Sequence, residues 1–139
     1  ALRARLDMFL VVDTSVMLAV LLNEPSREEL IERTKGVELV APASLHWEMA
    51  NALSAMLRRK RLTLDEARQA LRGFDQIPLR LLDVGLEDAL NIAATSGIYA
   101  YDAYFIVCAK RASAALITLD GGLTAAARLA GVEVVPVGK

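Results

Sequence analysis

Short apolar runs that stop at an acidic residue, each followed at once by a helix-period segment, constrain this chain more than any other feature. Phe9-Leu10-Val11-Val12 stops at Asp13, and Ala115-Leu116-Ile117-Thr118-Leu119 stops at Asp120. Neither run alternates polar and apolar residues, so each suits a strand covered on both faces. Further strands are predicted at 37–41, 79–82 and 132–137. The intervening segments read as helices at 15–22, from 26 to about 36, from 44 to about 60, from 63 to about 74, and at 86–95, 102–112 and 123–130. Ser26 with Glu29 and Thr63 with Glu66 have capping-box spacing, and Gly97 stands where a helix C-cap belongs. Leu45, Met49, Leu53, Met56 and Leu57 form one apolar stripe on the longest helix. Parallel strands need crossover connections, and the crossover helices cover both faces of the sheet. The expected class is therefore α/β, a three-layer α/β/α arrangement around a central, mainly parallel sheet.

At 139 residues, with 55% hydrophobic and 5% aromatic content, the chain fits one domain with an aliphatic core and leaves no room for a second. Residues 1–7 read as an extension ahead of the first strand. Cys108 is the only cysteine, which excludes an intramolecular disulfide and a multi-cysteine metal site and points to a reducing compartment. The apolar runs are far shorter than a membrane span, and no leader pattern is visible, so the expectation is a soluble cytoplasmic protein. The net charge of −1 argues against a tightly binding basic nucleic-acid module. It leaves room for an RNA enzyme in which metal ions neutralise the phosphate.

In a parallel sheet Asp13 and Asp120 both fall at the carboxyl edge, where open α/β sheets bind ligands. Glu48 lies in the first turns of the long helix and Asp102 at the start of its own, and helices that follow strands begin at that same edge. Four carboxylates brought together repel one another, and Mg²⁺ or Mn²⁺ suits such an all-oxygen ligand set. Each acid also has a plain reading: Asp13 and Asp102 as helix N-caps, Glu48 as a solvated residue favoured by the helix dipole, and Asp120-Gly121-Gly122 as a turn. Their joint placement at one edge is the stronger observation.

Four motifs carry a family resemblance: Leu10-Val11-Val12-Asp13-Thr14-Ser15 with Leu18 to Leu22 and Glu24-Pro25; Glu48 with Asn51-Ala52-Leu53; Tyr101-Asp102-Ala103-Tyr104; and Ile117-Thr118-Leu119-Asp120 with Leu123 and Ala126-Ala127. In order and spacing they resemble PIN domains, and the short layout resembles VapC-type toxins of prokaryotic toxin–antitoxin pairs, over about residues 9–137. The resemblance implies a PIN-like fold and an endoribonuclease requiring Mg²⁺ or Mn²⁺. It also implies a homodimer and inhibition by a small VapB-type antitoxin. In that reading Asp13 and Asp102 are the principal metal ligands, while Glu48 and Asp120 complete the negative pocket and position a second ion or the attacking water.

Ser15, two residues beyond Asp13, reads as a hydrogen-bonding support for that carboxylate or as an ordinary helix-start hydroxyl. Thr118 and Asn51 are weaker supports of the same kind. His46 reads as a surface or helix-start imidazole. Arg58-Arg59-Lys60-Arg61 complements a helix C-terminus, and it also reads as an RNA contact about three turns, roughly 15 Å, from Glu48. Trp47, Tyr99, Tyr101 and Tyr104 suit core or interface packing first and base stacking second. A receiver-type phospho-acceptor needs an adjacent acidic pair after strand one, where this chain has only Asp13. A non-catalytic RNA- or protein-binding module on the same fold is the other alternative, since fold does not fix activity.

Overall fold

A computed structural model describes residues 8–138; the predicted extension at 1–7 lies outside the described residues. Four strands, β1 (Phe9–Val12), β2 (Glu38–Pro42), β3 (Arg80–Leu82) and β4 (Ala115–Ile117), form one sheet in the order β3-β2-β1-β4, with every pairing parallel. Among the described residues seven helices flank it: α1 (Thr14–Leu21), α2 (Arg27–Arg33), α3 (Leu45–Arg58), α4 (Leu64–Gln76), α5 (Leu86–Ser96), α6 (Ala100–Ala112) and α7 (Gly121–Leu129). Connections from β1 to β2 and from β2 to β3 step one way across the sheet, and the connection to β4 steps back. Right-handed crossovers then place α1 to α4 on one face and α5 and α6 on the other. The direction reverses between β1 and β4, which makes the crevice beyond their carboxyl ends the expected ligand site.

The unbroken apolar runs account for the core. Val11, Val12, Val40, Leu116 and Ile117 are essentially inaccessible, and each such side chain contributes on the order of 1.5–3 kcal/mol of burial. Helix α6 packs across β1, β2 and β4, which explains why Phe105, Ile106, Cys108 and Ala109 are all buried. Two satellite clusters complete the layers. Leu53 of α3 meets Ala67 and Ala70 of α4, and Ala89 of α5 meets Ala103 and Val107 of α6. Gly73 of α4 lies against α1: a Cβ there would come within 2.9 Å of Leu21 Cδ2.

The Thr63–Glu66 capping box forms in full, and Gly97 closes α5 at φ 67. Ser26 does not cap α2 with its side chain. Its predicted partner Glu29 instead accepts the Gly138 backbone N–H at 3.0 Å and pairs with Arg33 at 3.5 Å. Of the predicted fifth strand only a single bridge, Leu116 to Val134, is present. Its neighbour β4 is three residues long, and Pro136 has no N–H to extend the ladder. Helix α6 starts before Asp102, so that residue lies in the first turn and Tyr99 takes the cap position.

Candidate active site

Asp13, Glu48, Asp102 and Asp120 line one cleft of about 580 Å³, together with Thr14, Ser15, Leu18, Trp47, Asn51, Ala52, Tyr101 and Phe105. Among the described residues no lysine or arginine lines it.

Asp13 follows β1 directly and is the N-cap of α1; its Oδ1 accepts the Val16 N–H at 3.1 Å and the Ser15 hydroxyl at 2.7 Å. The Thr118 hydroxyl donates to Oδ2 from the end of β4. Thr118 Oγ1 in turn accepts the Asp120 N–H at 3.0 Å, and Ser15 Oγ accepts the Leu119 N–H at 3.0 Å. This clasp shortens β4: Thr118 and Leu119, predicted as strand, give their polar groups to the β1–α1 junction. Asp120 caps α7 with Oδ1, which accepts from Gly122 N at 2.8 Å and Leu123 N at 3.1 Å. The capping reading and the site reading therefore coincide at Asp13 and Asp120, since each carboxylate has lone pairs to spare.

Glu48 stands in the first turn of α3, with its Oε2 accepting the Ser44 hydroxyl at 2.6 Å. Asp102, in the first turn of α6, is not a cap. Its side chain makes no hydrogen bond among the described residues.

Burial raises the Asp13 carboxyl above its ordinary value, opposed by the Thr118, Ser15 and Val16 donors and reinforced by the charge of Asp120. Glu48 is pushed from 4.5 up to about 7, first by burial, then by the charges of Asp102 and Asp13, with the Ser44 hydroxyl pulling it down. Asp102 is raised by burial and by Asp120. The repulsions close a ring from Asp13 to Asp120, Asp102, Glu48 and back to Asp13.

Among the described residues no three His, Cys, Asp or Glu side chains stand close enough to enclose a metal ion by themselves. That spacing is compatible with Mg²⁺ or Mn²⁺, which take one or two carboxylates and keep several waters. The donor set is all oxygen, and the acids resist ionisation without a nearby cation, so the residues present fit a hydrated divalent ion.

Of the predicted supports, Ser15 and Thr118 bind Asp13 directly, whereas Asn51 lines the cleft wall and makes no side-chain hydrogen bond among the described residues. Ser44 was not singled out from sequence, although its i, i+4 spacing to Glu48 carried the signal. Thr14, whose buried Oγ1 makes no hydrogen bond of full geometry among the described residues but helps hold the Glu48 carboxyl down, was likewise missed. Of the expected core or interface packing, a place in this chain's core is ruled out for Trp47 and Tyr101, which are 74% and 62% exposed, both at the cleft. Their rings find no core pocket because both stand where α3 and α6 begin, beyond the sheet's edge. His46 is exposed as expected, with its ring edge-on to Phe74 at 5.4 Å.

A carboxylate-lined cleft at the reversal point of a parallel sheet defines a class, and the PIN domain family model matches residues 10–129. The chain belongs to the PIN-domain family, and within it to the VapC type. Ribonuclease VapC9 of Mycobacterium tuberculosis is 33% identical over 113 residues, covering 80% of this chain and 85% of the relative. A crystal structure of a Pyrobaculum aerophilum protein superposes with a TM-score of 0.69 at 21% identity, over 93% of this chain and 85% of the other. The structure of VapBC2 from Rickettsia felis, bound to a DNA fragment from its promoter, gives 0.67 at 15% identity, over 94% of this chain and all of the other. These two share the fold.

Proposed function

We propose that the chain is a divalent-metal-dependent endoribonuclease, the toxin of a VapBC-type pair, with Asp13, Glu48, Asp102 and Asp120 as its catalytic acids. The observation that carries this reading is a substrate-sized cleft lined by four carboxylates and, among the described residues, by no cationic side chain. An RNA phosphate entering such a cleft is repelled unless a cation accompanies it. Mg²⁺ or Mn²⁺, when bound, polarises a phosphoryl oxygen and lowers the pKa of a coordinated water.

Asp13 and Asp102 would hold the ion, with Glu48 and Asp120 completing the pocket. Ser15 and Thr118 fix the Asp13 carboxylate from two elements. Ser44 holds one Glu48 oxygen, leaving the other to orient the attacking water. Trp47 and Tyr101, exposed at the cleft, offer faces on which flanking bases stack. No Ser, Cys or His nucleophile is required; Cys108 is buried, and its thiol is pushed up to about 12. The regulatory partner in this reading is a small VapB-type antitoxin, and the active form is a homodimer in the cytoplasm.

The test is cleavage of structured RNA by the purified, partner-free protein. Activity is expected with Mg²⁺ or Mn²⁺, is abolished by EDTA, and is lost in Asp13→Asn and Asp102→Asn. Parent-level cleavage by both variants overturns the site. A non-catalytic module would bind RNA under every condition and cut it under none.

A further inference from the structure

We propose that the α3–α4 hairpin is a docking track for the RNA phosphate backbone outside the cleft, a reading that rests on the ribonuclease function above. Six cations lie on it: Arg58, Arg59, Lys60 and Arg61 at the turn, and Arg68 and Arg72 along α4, all exposed. Residues 58–76 hold these six against three acids, leaving ten cations and fourteen acids in the rest of a chain whose net charge is −1. The local excess of positive over negative charge thus falls on one supersecondary unit.

The cations are also unspent. Arg27, Arg33, Lys35 and Arg80 all pair with glutamates, and Arg111 donates to the Asp83 carbonyl. None of the six hairpin cations makes an ion pair or side-chain hydrogen bond among the described residues. Nearby acids are engaged otherwise: Glu66 completes the capping box with Thr63, and Asp65 accepts from Gln69 at 3.1 Å. Helix-dipole complementation explains a cation at the end of α3, but α4 has no basic residue in its last turn. Arg68 and Arg72 stand one turn apart on the same side of α4, a like-charge spacing that disfavours the isolated helix. An external polyanion relieves it.

The hairpin also runs from the right place. The 14 residues of α3 span about 20 Å from the cleft to the turn. Helix α4 then returns alongside, through the Leu53, Ala67 and Ala70 contacts, until Phe74 meets His46 next to Trp47 of the cleft. Arg72 therefore lies near the cleft end and Arg58 to Arg61 at the far end. The division of labour is electrostatic: the cleft carries no cation among the described residues, and phosphates farther along the strand meet arginine.

The experiment measures binding of a fluorescein-labelled RNA of about 20 nucleotides in EDTA, so cleavage plays no part, across a salt series. The triple variant Arg58→Gln/Arg68→Gln/Arg72→Gln is expected to raise Kd at least about tenfold and to flatten the salt slope by about 2. Lys35→Gln/Lys110→Gln/Arg128→Gln removes the same charge elsewhere and should bind as the parent does. Arg→Lys at the three hairpin positions should retain binding, because a phosphate contact needs charge more than fork geometry. Equal loss in both glutamine triples, no loss in the hairpin triple, or loss in the lysine triple overturns the proposal. Failure of the ribonuclease reading appears separately, as parent protein that binds this RNA but does not cut it with Mn²⁺.

Discussion

Replacing Glu48 by glutamine should make the metal-free protein more stable and inactive. The folded chain holds the Glu48 proton up to about pH 7, whereas 4.5 is the ordinary value. Between those limits the native state binds more protons than the unfolded state, so stability is fully present below 4.5 and falls as pH rises through 7. At about 1.36 kcal/mol per pH unit the loss is bounded near 3 kcal/mol, and water reaching the half-buried carboxylate reduces it to about 1–2 kcal/mol. Glutamine cannot titrate and can still accept from Ser44. The expected signature is equal melting temperatures for parent and Glu48→Gln at pH 4.5, with a gap of about 3–8 °C in favour of the variant at pH 8. Thermal unfolding in EDTA, followed by circular dichroism, measures it. Asp13 and Asp102 titrate in both proteins, so the difference reports Glu48 together with its repulsion of those two neighbours. A gap that does not grow with pH refutes the claim that burial and neighbouring acids oppose this charge. Saturating Mg²⁺ should then raise the melting temperature of the parent more than that of the variant.

Thr118→Val removes the donor to Asp13 Oδ2 and the acceptor of the Asp120 N–H, and should cost about 1–3 kcal/mol in denaturant titration; an unchanged midpoint would mean the clasp contributes nothing. Ser44→Ala removes the group that lowers the Glu48 pKa, so the acidic limb of the pH–rate profile should move upward, and an unmoved limb would show that Glu48 ionisation does not limit the rate. Gly73→Ala brings a methyl within 2.9 Å of Leu21 Cδ2, the free end of a partly buried side chain that can turn aside, so the gain in helix propensity should win and raise the melting temperature; a lowered one would show that Leu21 is held in place.

The parallel sheet and the meeting of four acids were legible because both depend on patterns that sequence displays directly: unbroken apolar runs, and acids at their ends. Ser15 and Thr118 were legible for the same reason, being neighbours of those acids. What sequence spacing did not display was competition for polar groups. Glu29 has the spacing to cap α2 but is drawn to Gly138, 109 residues away. Leu119 has the composition of strand, yet its N–H goes to Ser15. Trp47 and Tyr101 looked like packing residues because hydrophobicity alone does not reveal that a helix start overhangs a cleft. The basic hairpin showed its composition in sequence, but not that its cations lack internal partners.

The clasp between Asp13 and Thr118 joins residues 105 positions apart. A chain emerging from the ribosome carries Asp13 and Glu48 long before β4 exists to complete their setting, and domains generally fold as units once enough sequence is available. On the proposed function, a cutting centre that needs Asp120 and the Thr118 clasp is complete only when translation is nearly over, and fragments truncated before β4 are expected to show no cleavage.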